Sequence, residues 1–470
     1  MAGIHTPEVV RIADTPSTAN VHNAIDPNKM TFGIELEFLL IHPDGCFAPL
    51  QLDGITNAIK AIDHLLNTNG IPSQCLYTGP TGAPRFSRWN VDRDCHRLTD
   101  AERSRLPPNH TVVPIEVSSR KLKLYTDDWQ QEVRKVVETI IGLSDIGCLT
   151  LTNQECGFHV HIGYDDEPVP FQTCKNIFQI ATALERCFDQ LHTTSRIVPG
   201  DGVSFDRPYH FNAPLSWFHK NATRNAGTRY EATIFDWLCE IEDCQTYQDI
   251  DQMFRVELQT AQGPRTAHGH FSVLNFGNCV DHAFPQEPRA TGTVEFRQHE
   301  GTLDYDDICG WIELTARLVM FCDVANPRDI VYLCGHAWNQ NFSLFNLMNR
   351  IGCDVNLIAY WRERRSFATH LADQVNVFED RARLEAGEFS GLYAMWLQCS
   401  VNRFERFSPF GNVAVSDHKK RSGALGRVVR YYPANLISSL SVFDAAAAEA
   451  AAGRRTAPSA KKAAFGMMSA

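Results

Sequence analysis

Three short stretches alternate polar, metal-competent side chains with apolar ones: Gly33-Ile34-Glu35-Leu36-Glu37-Phe38, Gly157-Phe158-His159-Val160-His161-Ile162-Gly163 and Thr293-Val294-Glu295-Phe296-Arg297-Gln298-His299. A β-strand turns successive side chains to opposite faces, so a period of two is the mark of a strand with one wet side and one dry side. Glu35 and Glu37 then share a face, as do His159 and His161, and Glu295, Arg297 and His299. Side by side, the three strands make a floor of carboxylates, imidazoles and one guanidinium, backed by Ile34, Leu36, Phe158, Val160 and Phe296. Such a floor suits divalent cations and a phosphorylated substrate.

Between and after these strands the pattern changes period. Thr31 to Ile41 reads as a strand, residues 55–70 as a helix stopped by Gly70, and 71–111 as loop interrupted by Arg88 to Asp94. Val112 to Leu124 reads as strand and turn, and Asp127 to Gly147 as a helix with a Trp129-Val133-Val136-Val137-Ile140 stripe. A second helix is expected over Phe171 to Leu191, strands over Phe271 to Phe276 and Gly292 to His299, and a helix over about 304–323. Residues 341–400 read as mostly helical, while 196–268 show few clear periods. Strands and helices in this order predict an α+β fold.

Composition narrows the function classes. The chain has 470 residues, with 44 basic against 55 acidic side chains and a net charge of −11, which argues against a general binder of nucleic acid or anionic membrane. No apolar run approaches the roughly 20 residues needed to cross a bilayer. Met1 to Met30 has no apolar signal core, so a cytoplasmic location is expected. The fifteen cysteines include no CxxC pair and read as reduced, mostly buried thiols rather than a zinc site. Neither a Walker A string nor a dinucleotide fingerprint is present, so metals and cationic side chains would have to handle phosphate.

Each constellation has a plain reading beside the chemical one. Glu35 and Glu37, with Cβ atoms about 7 Å apart on a strand, can hold one cation each, bracket a pair, or merely wet a sheet face. His159 and His161 can ligate a metal, donate to phosphate, or serve as hydrogen-bonded structural residues. Arg297 beside Glu295 can form a structural ion pair or clamp a phosphoryl group. Asp94 and Glu116 by themselves look like surface acids.

Taken together and in order, Phe32 to Phe38, Trp89 to Asp94, Glu116 to Ser119, Gly157 to Gly163 and Glu295 to Asp304 resemble the amidoligase family. This is a branch of the carboxylate–amine ligase superfamily that includes glutamine synthetase and glutamate–cysteine ligase. The resemblance runs over about 31–325 and more weakly to about 400. It implies a curved antiparallel sheet forming a glutamine synthetase-like catalytic cavity, helices packed outside, and a helical C-terminal part. It further implies an ATP-dependent ligase that joins a carboxylate to an amine through an acyl phosphate, using Mg²⁺ or Mn²⁺, on small-molecule or peptide substrates.

Carried over by the resemblance, Glu35, Glu37, His159 and Glu295 would ligate metal, and His161, Arg297 and Arg196 would contact the nucleotide. Glu116 and Arg297 would act in catalysis, and Asp94, Ser119, Arg120, Asn212, Asn275 and His299 would face substrate. The layout implied is a flexible segment 1–30, a catalytic domain 31–325, a helical extension 326–410 packed on it, and a mostly flexible, Ala-rich tail 411–470. Segment 196–268 would cover the cavity. Two rival readings are a phosphotransferase of the guanidino-kinase type and a non-catalytic binding protein that keeps the fold.

Overall fold

A computed structural model describes residues 27–47, 58–76, 86–98, 108–192, 234–283, 291–338 and 342–363, apart from a few single positions, together with Arg103, Leu106 and Leu215. Its centre is β1 (Met30–Pro43), fourteen residues long and paired antiparallel on both sides. The other strands are β2 (Ser73–Cys75), β3 (Trp89–Arg93), β4 (His110–Ser118), β5 (Leu122–Lys123), β6 (Leu149–Leu151), β7 (Gly157–Tyr164), the hairpin β8 (Val256–Thr260) and β9 (Gly263–Ala267), β10 (Leu274–Asn275) and β11 (Val294–Glu300). The main sheet runs β10-β11-β7-β1-β4-β3-β2, with β5 and β6 also paired to β1.

Alternation gives this sheet two unlike faces. Phe32, Ile34, Leu36 and Phe38 of β1 lie beside Ile162, Val160 and Phe158 of β7 and Val117 and Ile115 of β4, all of them buried. Helices pack against this side and against one another. The described helices are α1 (Ala58–Thr68), α2 (Trp129–Ile141), α3 (Phe171–Ala183), α4 (Glu185–Phe188), α5 (Ile234–Asp243), α6 (Tyr247–Met253), α7 (Gly277–Ala283), α8 (Tyr305–Val324), α9 (Pro327–Gly335) and α10 (Leu344–Arg350). The stripe of α2 is buried as its spacing predicts, with the Trp129 ring edge-on to Phe32 at 5.1 Å. Each fully buried side chain of this kind adds roughly 1.5–3 kcal/mol, which is why an amphipathic helix docks here rather than standing free.

Local chemistry sets the helix ends. Asp304 accepts from the backbone N–H groups of Asp306 and Asp307 and starts α8, so the acid that closes the Glu295–Asp304 motif is a helix cap. Asn326 caps α9 with proline at its first turn, and Ser343 with Asn346 closes a capping box on α10.

Several expectations need correction. The sheet is mixed, because β2 runs parallel to β3. The helix expected to Gly147 is α-helical only to Ile141, then tightens to a 3₁₀ turn over Gly142–Ile146 before Gly147 ends it at φ +82°. The helix expected to Leu191 breaks at Leu184, whose backbone leaves the helical region. Of Phe271 to Phe276, only Leu274–Asn275 pair as a strand. The short strands β2 and β6 were invisible because three residues show no period. Residues 1–26, most of 193–233 and everything after 363 lie outside the described residues, including the Ala-rich tail and most of the predicted cover. Among the described residues no helix is long and apolar enough to cross a membrane.

Candidate active site

The strand registers stack the polar side chains into three rows across the sheet's second face. One row runs Asn275, Glu295, His161, Gly33; the next runs His159, Glu35, Ser118, Asn90; the third pairs Glu37, Glu116 and Asp92. Residues from six strands, distant in sequence, therefore meet in one patch. Gly163 allows one of these close approaches: a Cβ there would stand 2.8 Å from Thr293 Cγ2 on the neighbouring chain segment.

Glu35 sits at the centre. Its carboxylate lies 3.0 Å from His159 Nδ1 and 3.1 Å from His161 Nε2. Glu37 and Glu295 approach the same His159 nitrogen at 3.5 and 3.6 Å. Glu37 also accepts from the backbone N–H of Gly157. Arg297 Nη1 donates to Glu295 and stands 3.4 Å from His159 Nδ1, while Asn275 Nδ2 donates to the other Glu295 oxygen at 2.8 Å. Farther along, Asp94 pairs with His96 at 2.8 Å, and His96 reaches Glu37 at 3.5 Å.

These groups perturb one another strongly. Burial raises the Glu35 carboxyl, but His161 and His159 more than offset it and hold the group well below its usual range. Burial likewise opposes ionisation of Glu295, and the Arg297 charge, then His161, overcomes it. His161 is pushed up: Glu295 and Glu35 outweigh its own burial. Glu116 goes the other way. Burial first, then the charges of Glu35, Asp94 and Glu37, lift its carboxyl well above the usual range.

Three sets of donors lie close enough to share a cation: Glu35, His161 and Glu295; Glu35, Glu37 and His159; and Glu37, Asp94 and His96. Within each set the ligand atoms lie within 4.8 Å of one another, and neighbouring sets share Glu35 or Glu37. Carboxylate oxygens with one imidazole suit Mg²⁺ or Mn²⁺. The residues also fit on charge: among the described residues Glu35, Glu37, Glu116 and Glu295 gather around Arg297, and the lifted Glu116 reflects that crowding. The same patch holds a donor for an anion: the buried Arg297 Nε–H has no partner among the described residues.

The family model described as "Putative amidoligase enzyme" matches residues 28–199. The matched span carries Glu35, Glu37, Asp94, Glu116, His159 and His161; Asn275, Glu295 and Arg297 lie beyond it and join it through β10 and β11. Among solved structures the chain is similar to a bifunctional glutathione synthetase from Pasteurella multocida, at 9% identity, with a TM-score of 0.35, over 82% of this chain and 53% of that one. It thus spans about half of that protein's length. No curated protein matches the chain.

Of the residues expected to face substrate, His299, Ser119 and Arg120 make contacts that hold the fold together. On β11, Phe296 faces Val160 and His299 faces Phe158, so three steps on one strand match two on the other. This bulge turns His299 to the apolar side, where it lies against Phe158, Trp311 and Trp361 and its Nδ1 lies 2.8 Å from the Glu300 carbonyl. Ser119 exchanges bonds with Ile34: its N–H donates to the Ile34 carbonyl, and its hydroxyl accepts the Ile34 N–H at 2.9 Å, which locks β1 to the turn after β4. Arg120 forks onto Glu132 at 2.8 and 2.9 Å and reaches Asp127 at 3.1 Å, so it ties the same turn to α2. Asp94 faces His96 rather than the central Glu35. Arg196 and Asn212 lie outside the described residues.

One contributor went unnoticed in the sequence. His96 is 5% exposed and bridges Asp94 to Glu37. It follows the Trp89 to Asp94 motif by two residues, at a position where no strand alternation continues, so period carried no signal. Gly301 is a second structural determinant of the region. A Cβ there would stand 2.6 Å from Cys156 Cβ, which draws the end of β11 tightly against the start of β7.

Proposed function

We propose that the chain is an ATP-dependent carboxylate–amine ligase that works through an acyl phosphate with divalent cations. One observation carries the reading: Glu35 and Glu37 are each shared between adjacent cation-ligand sets, with the buried Arg297 donor beside them. Adjacent cations with a guanidinium match the charge that develops on a transferring phosphoryl group. The amidoligase match over 28–199 supports the same reaction class.

In this reading Glu35, Glu37, His159, His161 and Glu295 hold the cations, which would supply neutralising charge to the β- and γ-phosphate oxygens. Arg297 keeps Nη1 on Glu295 and offers Nε–H to an equatorial phosphoryl oxygen. The substrate carboxylate attacks the γ-phosphorus and the bond to the bridging oxygen breaks, releasing ADP. The amine nitrogen then attacks the acyl carbon and phosphate leaves with the electron pair. Glu116 takes the proton from the incoming ammonium; its burial and the Glu35, Asp94 and Glu37 charges raise its proton affinity above that of an ordinary carboxylate.

The test is turnover by the full chain with ATP, Mg²⁺ or Mn²⁺, hydroxylamine and a panel of carboxylates, following ADP, free phosphate and product mass. Carboxylate-dependent phosphate release with a hydroxamate product is the expected result. A phosphorylated acceptor without free phosphate would refute it in favour of a phosphotransferase, and no turnover with any carboxylate would refute it outright.

A further inference from the structure

A second, cationic feature adjoins the acid rows. A cavity of about 480 Å³ opens beside β3 and β4, and three guanidinium groups, Arg93, Arg97 and Arg103, line it. Val112 and Pro114 form part of its wall. By strand alternation both lie on the same side of β4 as Glu116, so the cavity continues the face that carries the candidate active site. Asp94 and His96 stand between it and Glu37.

The charge of this cavity runs against that of the chain, which is −11 overall. None of the three guanidinium groups has a carboxylate partner among the described residues. The one carboxylate in the lining, Asp94, is engaged by His96 at 2.8 Å and by the Cys95 N–H at 2.5 Å. The lining is also pinned. Asp94 N–H donates to the Pro114 carbonyl, Arg97 N–H donates to Glu155 Oε2 at 2.8 Å, and Asn153 Nδ2 donates to the Arg97 carbonyl at 2.9 Å. Leu98 is buried in a small apolar cluster with Leu39, Ile41, Leu151 and Cys156. Arg93 and Arg97 are therefore set on a pinned backbone around one small-molecule-sized space that Arg103 also lines.

We propose that this cavity binds a second negative charge on the carboxylate substrate, so that the substrate is a dicarboxylate or an acidic residue of a peptide. The proposal rests on the ligase reading of the neighbouring site. Guanidinium forks bind carboxylate and phosphate alike, so a nucleotide polyphosphate is the competing source of the anion. Position decides for the carboxylate. The orphaned Arg297 Nε donor lies with His159 and Glu295 at one end of the acid rows, and the arginine cavity lies past Glu37 and Asp94 at the other.

The test is calorimetric titration of the full chain with glutarate, its monoamide glutaramate, and pyrophosphate as the polyphosphate probe. Glutarate should bind about tenfold tighter than glutaramate, and R97Q/R103Q should erase that difference while leaving pyrophosphate unchanged. Both arginines are exposed, and a thermal melt checks folding; R103Q alone and R97K/R103K are the second variants, with part of the preference restored by lysine. Equal binding of glutarate and glutaramate, binding of neither, or a preference that survives R97Q/R103Q would overturn the proposal. So would a loss confined to pyrophosphate, which would hand the cavity to the nucleotide. The two readings separate cleanly: arginine-dependent glutarate binding without amide formation keeps the subsite and sinks the ligase, and amide formation that ignores the second charge does the reverse.

Discussion

Replacing Glu295 by glutamine tests the electrostatic core of the site most directly. Arg297 is 7% exposed and Glu295 3% exposed, and the guanidinium Nη1 donates to the Glu295 carboxylate. Glutamine keeps the shape and can still accept from Asn275, but it strands a buried cation. Removing one member of a buried pair costs about 3–5 kcal/mol. Here Glu37 and Glu35 also favour the Arg297 charge, so the lower end applies, about 3 kcal/mol. With a urea m-value of about 3 kcal/mol/M, that is a midpoint lowered by ~1 M. Equilibrium unfolding of the full chain in urea measures it, with m unchanged. The double variant Glu295→Gln/Arg297→Met removes both charges and should recover most of the loss. A loss under about 1 kcal/mol for the single variant, or no recovery in the double, would refute the pairing.

Four further outcomes follow from the geometry. Gly301→Ala forces a methyl to within 2.6 Å of Cys156 Cβ and should cost about 1–3 kcal/mol in the same urea experiment; a neutral result would contradict the close strand contact. Arg120→Met breaks a partly exposed fork onto Glu132 and Asp127, so stability should drop by about 0.5–1 kcal/mol while steady-state turnover holds, and a collapse in activity would restore the substrate role. His299→Phe should retain turnover at a stability cost of about 1–2 kcal/mol, because the ring lies in the aromatic core. Glu116→Gln tests the raised carboxyl. The folded state binds that proton more tightly than the unfolded one, so this contribution to stability is full below about pH 4.5 and fades as pH rises through the folded value. The glutamine variant should thus gain on wild type as pH rises from 4 to 8 without divalent cations, and a gap that ignores pH would count against the crowding.

Period-two alternation was enough to identify Glu35, Glu37, His159, His161, Glu295 and Arg297 as sharing faces of strands, because alternation is a property of the extended backbone alone. The stripe of α2 and the capped start of α8 were equally local, written in spacing and in Asp304. Registry is not local. Whether Glu35 lies opposite His159, and whether Glu295 lies opposite His161, depends on how strands more than a hundred residues apart slide against each other, and a one-residue slip would have moved every one of these groups to the dry face. His299 shows the limit within a single strand: one extra residue in a bulge reversed its side, and nothing in Glu-Phe-Arg-Gln-His announces the bulge. His96 and Arg97 sit after the end of β3, where the bonds of Asp94 to Pro114 and of Arg97 to Asn153 and Glu155 set the course of the chain. The chain's own pattern determined which side chains could do chemistry, and long-range strand pairing decided which of them meet.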